Sequence, residues 1–279
     1  MLLAWGREDG GAASPAWYSG AMNVRLDRDA AVATLTLDDP ARKNAMTPEL
    51  GLALAARVQE LKGDATCRAV ILRGAGGAFS GGGDLAMLER LRTMAPAEAR
   101  AFMLSFYARY LSILDLEVPV IAVVDGAAVG AGLCVALACD LLLVDENAKM
   151  AANFSALGLH PGMGATYLLP HRAGPMRAQE LLFTGRRFDG RTAVAYGLAL
   201  EAHPVAALHA RGLELAKSIA DNAPLVVAAI KRQLGIDRAA LQRALETEAR
   251  EQAISYTTKD FGEGLRAAIE RRRAAFTAE

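Results

Sequence analysis

The sequence has few cysteines, no long apolar run and no excess of charge of either sign. Three cysteines among 279 residues are an odd and small number, which argues against a disulfide framework and favours a reducing, cytoplasmic location. Lys plus Arg and Asp plus Glu both number 31. The chain therefore has no net charge that would favour nucleic acid or a membrane surface as a partner. No apolar run reaches the ~20 residues of a membrane-spanning helix.

The sequence also lacks the patterns of a metal site and of a targeting segment. Its histidines, cysteines and aspartates show no metal-ligand spacing, so we predict no metal. Residues 1–21 contain no continuous apolar segment and carry acidic residues early, unlike a signal or transit peptide. We predict a disordered leader over residues 1–21.

What the chain does contain is an alternation of strand and helix patterns. Short apolar runs rich in β-branched residues predict buried strands at residues 32–37, 69–72, 120–124 and 141–144. The intervening segments are long enough for crossover helices, which favours parallel strands. From Val205 onward only helical patterns occur. The sequence therefore predicts an α/β core over residues 22–204 and a helical region over residues 205–279.

Two glycine-rich loops each follow a predicted strand and precede a predicted helix. They cover residues 74–84 and residues 125–132. The first N–H groups of a helix have no partner within the helix, and they suit an anion. In a first interpretation, the glycines have only a structural role: they form tight turns that allow the helix to pack closely against the strand. Two successive loops favour a second interpretation, in which two backbone N–H groups form an oxyanion hole.

Several segments, in the right order, resemble the signature motifs of the crotonase superfamily, the enoyl-CoA hydratase/isomerase group. The matching segments are residues 40–46 (PARKNAM), 79–84 (FSGGGD), 125–132 (DGAAVGAG), 182–187 (LFTGRR) and 263–276. The resemblance runs from about residue 23 to the C-terminus. It implies an α/β fold, a crotonase-like spiral of ββα units with a C-terminal helical trimerisation region, and a homotrimer or a dimer of trimers.

The resemblance implies a site for an acyl-CoA thioester, with coenzyme A as part of the substrate and no separate cofactor. Gly83 and Ala131 match the oxyanion-hole positions, whose N–H groups hold the thioester carbonyl as it becomes an enolate. The matching substrate-binding positions are Arg42, Lys43, Ala45, Ala78, Ser80, Phe154 and Arg271. Basic residues among them suit phosphate groups, although Arg271 equally fits a solvated helix end.

Both glutamates with which family hydratases activate water are missing. The matching positions carry Cys134 and Phe154. Because general acid–base groups contribute on the order of 10²–10⁴-fold each, we expect hydration to be slower by several powers of ten. A dehalogenase branch of the family uses an aspartate and a histidine at other positions. Here these positions fall on Gly162 and, in a loose alignment, on Tyr107.

Three side chains are the candidates for proton transfer or nucleophilic attack. His160 lies in a glycine–proline loop and suits a base near neutral pH, or it is a loop histidine that bonds to backbone. Cys134 is a nucleophile if the helix N-terminus lowers its pKa, whereas buried cysteine usually serves as a small apolar residue. Tyr107 is the third candidate. It lies on an aromatic helix face, and such a face is typically part of the hydrophobic core.

Three functions compete on these observations. The first is an enzyme, a lyase or isomerase, that stabilises a thioester enolate without the usual glutamates. The second is a non-catalytic acyl-CoA-binding subunit. The third is a hydrolase of the same fold that acts on a free β-diketone with His160 as base. The length of the ordered glycine loops favours the first.

Overall fold

The computed structural model describes residues 23–279, so the leader predicted over residues 1–21 lies outside it. Within the described residues the strands, in chain order, are β1 (Asn23–Asp29), β2 (Val32–Asp38), β3 (Ala69–Gly74), β4 (Ala78–Ser80), β5 (Val120–Val124), β6 (Ala127–Val129), β7 (Leu141–Asp145), β8 (Lys149–Ala151), β9 (Arg187–Phe188) and β10 (Glu201–His203).

Helices connect these strands and form the last third of the chain. In chain order they are α1 (Pro48–Leu61), α2 (Leu85–Leu91), α3 (Pro96–Leu111), α4 (Ala131–Ala138), α5 (Ala165–Ala173), α6 (Pro175–Thr184), α7 (Gly190–Tyr196), α8 (Val205–Ala220), α9 (Pro224–Leu234), α10 (Arg238–Ser255) and α11 (Lys259–Glu270). Single 3-10 turns lie at Pro40–Arg42, Ser112–Asp115 and Ser155–Leu157.

The strands form two sheets between which the chain alternates. The larger sheet has the order β1-β2-β3-β5-β7-β10 and the smaller one β4-β6-β8-β9. Three successive units each place a strand in the larger sheet, the next strand in the smaller sheet, and then a helix: β3–β4–α2, β5–β6–α4 and β7–β8–α5. The pairs β2/β3, β3/β5 and β5/β7 are parallel. The predicted α/β spiral of ββα units is confirmed.

The hydrophobic core lies on both faces of the larger sheet. On one face, α8 packs Leu208 and Ala216 against Ile121 and Val123 of β5 and its neighbours. On the other face, α1, α3, α4 and α10 enclose the main core together with the smaller sheet. Helix α1 is amphipathic, and its apolar stripe of Leu50, Leu54, Val58 and Leu61 is buried. Thr47 caps this helix by accepting a hydrogen bond from Leu50 N at 3.2 Å.

Two segments depart from what their local sequence predicts. The proline and glycine within residues 170–174 predict a loop, but Pro170 lies inside α5. The missing N–H of Pro170 falls near the C-terminal end of this short helix, where tertiary packing tolerates the lost hydrogen bond. The sequence pattern over residues 96–114 predicts one helix, but regular α geometry ends at Leu111. No helix within residues 23–279 combines the length and apolarity required to cross a membrane.

Candidate active site

The smaller sheet brings the two glycine loops together. Strands β4 and β6 are parallel neighbours, with Ser80 paired to Ala128. Because parallel strands end at the same edge of a sheet, the loops that follow them meet there. A Cβ atom added to Gly132 would lie 2.6 Å from Ser80 Cβ, and one added to Gly82 would lie 2.8 Å from Val129 O. Only glycine permits this contact between the loops.

In the first loop, the N–H group of Gly83 is turned away from the neighbouring segment that contains Met46. Met46 N donates to Gly82 O at 2.8 Å, and Asp84 N donates to Met46 O at 3.2 Å. The N–H of Gly83, between these two bonds, therefore faces away from Met46. Asp84 caps α2, because its Oδ1 accepts a hydrogen bond from Met87 N at 2.8 Å.

Gly83 and Ala131 line the same cavity, which has a volume of about 130 Å³. Ala131 is the first residue of α4, so its N–H has no partner within the helix. Within residues 23–279, no group accepts a hydrogen bond from either N–H. Two N–H groups that are free to donate thus border one cavity.

The wall of this cavity is largely apolar. Its main apolar side chains are Leu88, Met103, Phe106, Phe154, Leu159 and Met163. Polar side chains enter the wall at Tyr107, Asn153, Gln252 and Tyr256. Among the described residues, the lining contains no carboxylate, imidazole, thiol or cationic side chain. The side chains offered to a ligand are therefore neutral.

Tyr107 is the only one of the three proton-transfer candidates in the described part of the wall. Its hydroxyl donates to Gln252 Oε1 at 2.6 Å, and burial raises its pKa well above the usual value. A tyrosine with this pKa stays neutral in the physiological range, so it donates hydrogen bonds but does not act as a phenolate base. An added Cβ on Gly162 would lie 2.6 Å from the Tyr107 hydroxyl. The acidic residue of the dehalogenase branch would therefore not fit at Gly162 beside Tyr107.

Cys134 does not have the environment that a nucleophilic thiol requires. Its side chain is fully buried, it is absent from the cavity lining, and its Sγ lies 3.7 Å from Gly162 O. Burial raises the pKa of this thiol well above its usual value. This environment matches the interpretation of Cys134 as a small apolar residue, because desolvation outweighs the helix dipole.

His160 is hydrogen-bonded to a residue of the cavity wall but does not itself line the cavity. Its side chain is not among the lining groups, and its Nδ1 lies 2.8 Å from Pro161 O. Its backbone N–H donates to Ser255 Oγ at 3.1 Å, while its carbonyl oxygen accepts from Gln252 Nε2 at 2.9 Å. These contacts match the loop-histidine interpretation, in which the residue bonds to backbone.

Three of the substrate-binding candidates lie in or next to the first glycine loop without lining the cavity. Ser80 Oγ donates to Asn44 O at 2.8 Å and accepts from Gly82 N at 3.2 Å. Asn44 in turn donates from Nδ2 to Ala78 O at 2.6 Å. Ser80 and Ala78 thus tie the loop to the segment that carries Ala45. Phe154, by contrast, is in the cavity wall.

The basic candidates are exposed at the surface. The Gly81 N–H donates to Lys43 O at 2.8 Å, so Lys43 lies directly beside the first loop. Arg42 forms an ion pair with Asp39 at 2.8 Å. Arg271 ends α11 with a positive φ of 56°, and its neighbour Arg272 makes the ion pair with Glu263.

Gln252, Tyr256 and Asn153 are cavity residues that the sequence interpretation missed. Gln252 and Tyr256 come from α10 and its last turn, whose apolar stripe includes Leu245 and Ala249. Gln252 is only 2% exposed. A glutamine at a position of the apolar stripe is the signal that would have found this site.

Glu248 is a buried carboxylate next to this cluster. It accepts hydrogen bonds from Gly164 N and Thr166 N, both at 2.7 Å, and from the Thr166 hydroxyl at 2.6 Å. It therefore caps the N-terminus of α5 from α10. Burial is the largest influence on its pKa and raises it to about 7, against the opposing effect of these hydrogen bonds.

We expect Glu248 to make the free energy of unfolding depend on pH. The pKa of Glu248 is raised in the folded state from 4.5 to about 7, so the folded protein holds this proton more tightly than the unfolded chain. The stabilisation that the proton gives to the folded state is therefore fully present below pH ~4.5 and is lost as pH rises through ~7. The loss is about 3 kcal/mol at 1.36 kcal/mol per pKa unit. Urea unfolding of wild type and Glu248→Gln at several pH values measures it. Glu246→Gln, exposed on the same helix, is the control, and parallel curves for wild type and Glu248→Gln would contradict the assignment.

No group of three or more His, Cys, Asp or Glu side chains within residues 23–279 is placed to hold a metal ion. The cysteines are free and buried.

Comparison with known proteins identifies the family of this chain. The profile described as enoyl-CoA hydratase/isomerase matches residues 27–279. The chain is 39% identical over 259 residues to the probable enoyl-CoA hydratase EchA14 of Mycobacterium tuberculosis, covering 89% of this chain and 98% of that protein. It is 34% identical over 246 residues to a putative enoyl-CoA hydratase of Thermus thermophilus, covering 88% and 97% of the two chains.

The fold agrees with solved structures of the same family. The crystal structure of enoyl-CoA hydratase from Bacillus halodurans superposes with a TM-score of 0.81 at 26% identity, covering 88% of this chain and 99% of that one. Sequence profile, relatives and fold agree over nearly all of the described residues. The chain belongs to the enoyl-CoA hydratase/isomerase family of the crotonase superfamily.

Proposed function

We propose that this protein binds an acyl-CoA thioester and stabilises its enolate with the backbone N–H groups of Gly83 and Ala131. The reaction is one that needs no carboxylate to activate water, such as isomerisation, decarboxylation or C–C cleavage. Coenzyme A takes part as a portion of the substrate, and no separate cofactor is required. The protein works in the cytoplasm.

One observation supports this proposal above all. The N–H groups of Gly83 and Ala131 have no hydrogen-bond partner within residues 23–279, and they border a cavity whose lining side chains are all neutral. Backbone N–H groups that are fixed in direction stabilise a developing oxyanion without reorganisation. An apolar surrounding strengthens this interaction because it excludes water. Lys43, exposed beside the first loop, and Arg42 and Arg271 are the groups that we assign to the phosphates of coenzyme A.

Calorimetric titration with acetoacetyl-CoA tests the binding part of the proposal. This thioester forms an enolate readily, so it should bind with a Kd well below about 1 mM. Screening a panel of enoyl, β-keto and malonyl thioesters by mass spectrometry then identifies the reaction. Absence of binding at millimolar concentration would remove coenzyme A chemistry from consideration.

The neutral lining also supports a second candidate, a non-catalytic acyl-CoA-binding subunit. This candidate expects saturable thioester binding and no turnover of any member of the panel. The β-diketone hydrolase has no comparable support, because its base would be His160 and that side chain does not line the cavity.

We also propose that the protein assembles as a homotrimer or a dimer of trimers. Helix α9 has no buried residue within the chain, and its apolar side chains Leu225 and Leu234 are 84% and 78% exposed. An uncovered apolar helix face of this kind is typical of a protein–protein interface. Further apolar groups are exposed on α6, namely Met176 and Phe183.

Charges introduced on α9 should dissociate the oligomer. We expect light scattering after gel filtration to give three or six copies for wild type and a lower mass for the double variant Leu225→Glu/Leu234→Glu. Gln233→Glu, on the same helix, adds a negative charge without removing an apolar group and should leave the mass unchanged. An unaltered mass for the double variant would show that α9 is not part of the interface.

A further inference from the structure

One amide side chain in the cavity wall fixes the direction of the neighbouring hydrogen bonds. Gln252 Nε2 donates to His160 O at 2.9 Å, while Gln252 Oε1 lies 2.6 Å from the Tyr107 hydroxyl and 3.1 Å from the Tyr256 hydroxyl. A backbone carbonyl only accepts, so Nε2 must face His160 and Oε1 must face the tyrosines. An amide oxygen also only accepts. Both tyrosine hydroxyls therefore donate their protons to Gln252.

Tyr256 consequently retains an acceptor that no protein group uses. Its side chain is 1% exposed, and within residues 23–279 its oxygen receives no hydrogen bond. A phenolic oxygen accepts as well as donates, and a buried polar atom without a partner costs free energy. Tyr107 differs, because the backbone N–H of Met163 lies within hydrogen-bonding reach of its oxygen.

The rest of the cavity limits the size of the acyl group. Its volume is about 130 Å³, and most of the wall is apolar. An apolar protein cavity of ~150 Å³ holds one benzene molecule. An acyl portion of roughly five or six non-hydrogen atoms is therefore of the right size.

We propose that the protein prefers short acyl thioesters that carry a hydroxyl group on the acyl chain, and that this hydroxyl donates a hydrogen bond to the oxygen of Tyr256. Tyr256 is then a residue that determines specificity. The inference rests on the proposed function, since it takes the thioester carbonyl to lie at Gly83 and Ala131. A plain alkyl chain leaves the acceptor site on the Tyr256 oxygen buried and unused, which weakens the binding of that chain relative to the hydroxylated one.

Calorimetry with matched pairs of thioesters tests this preference. The probes are propionyl-, butyryl- and valeryl-CoA, each with and without a hydroxyl group on the terminal carbon. We expect at least one hydroxylated thioester to bind about 10-fold more tightly than its parent. Tyr256→Phe should reduce that ratio to below about 2-fold, because the added hydroxyl loses its acceptor.

A matched control separates this effect from general destabilisation. Tyr110 is also a buried tyrosine, but its hydroxyl donates to Thr47 O at 2.7 Å and it does not line the cavity. Tyr110→Phe should therefore retain the full preference.

A second variant tests the direction of the hydrogen bonds. Gln252→Met removes the oxygen to which both tyrosine hydroxyls donate, so the hydroxyl of Tyr256 can then donate a hydrogen bond to a ligand. Wild type should bind 4-hydroxyvaleryl-CoA more tightly than 4-oxovaleryl-CoA, which offers only an acceptor, and the variant should narrow or reverse this order. If Tyr256→Phe does not fold, this comparison still tests whether the Tyr256 oxygen accepts a hydrogen bond from the ligand.

Equal affinities within every pair, or a preference that survives Tyr256→Phe, would overturn the inference and leave the proposed function in place. Failure of all of these thioesters to bind, the unsubstituted ones included, would overturn both.

Discussion

Hydration of crotonyl-CoA by this protein is expected to be at least ~10⁴-fold slower than by a family hydratase that carries both glutamates. Addition of water requires one group to take a proton from the water and one to deliver a proton to the acyl chain. Cys134 is buried with a raised pKa, and Phe154 has no proton to transfer. Burial also raises the pKa of Tyr107 and of Tyr256, so neither hydroxyl ionises near neutral pH.

The loss of enoyl absorbance measures this rate, with thioester binding recorded in the same preparation. Binding without hydration is the expected combination, and a hydratase that retains both glutamates is the positive control. Hydration within about tenfold of that control would contradict the prediction, since the expected deficit spans several powers of ten. A water-activating group would then have to come from outside the lining of this cavity.

Gly82→Ala is expected to lower thioester turnover, or binding if there is no turnover, by about 10²-fold. The new Cβ would lie 2.8 Å from Val129 O and would force the first glycine loop away from the second. Because Gly83 is the next residue, its N–H would move relative to that of Ala131. A displacement of about 1 Å is sufficient for an effect of this size.

Gly63→Ala is the matched control for Gly82→Ala. Both glycines have a positive φ, 95° at Gly82 and 83° at Gly63, but an added Cβ at Gly63 meets nothing within 4 Å. Both variants should lose roughly 1–2 kcal/mol of stability from backbone strain, measured by urea unfolding. Only Gly82→Ala should lose function. Equal activity of the two variants would mean that contact between the loops does not position the N–H groups.

The local features of the fold could be predicted because their causes lie within a few residues of sequence. The run at residues 120–124 forms β5, Thr47 caps α1, and Asp84 caps α2. A cap or a short buried strand depends on neighbouring backbone groups and on a local apolar pattern. Pro170 shows the limit of such rules, since packing keeps it inside α5.

The polar wall of the cavity could not be predicted in the same way. Tyr107 and Gln252 are hydrogen-bonded across a separation of 145 residues, and no local pattern joins α3 to α10. The proton-transfer candidates were chosen by residue type near a motif. Whether such a side chain enters a cavity depends on its rotamer and on what packs behind it, which is why Cys134 and His160 lie outside the lining.

By itself, the sequence determined the alternation of strands and helices, the two glycine loops and the presence of Cys134 and Phe154 after the second loop, because residue identity and local spacing decide each of them. The tertiary structure alone decided that the loops meet at one cavity, that every side chain lining it in the described chain is neutral, and that α10 supplies Gln252 and Tyr256. These properties depend on contacts between distant segments, and such contacts form only when the sheets and helices pack.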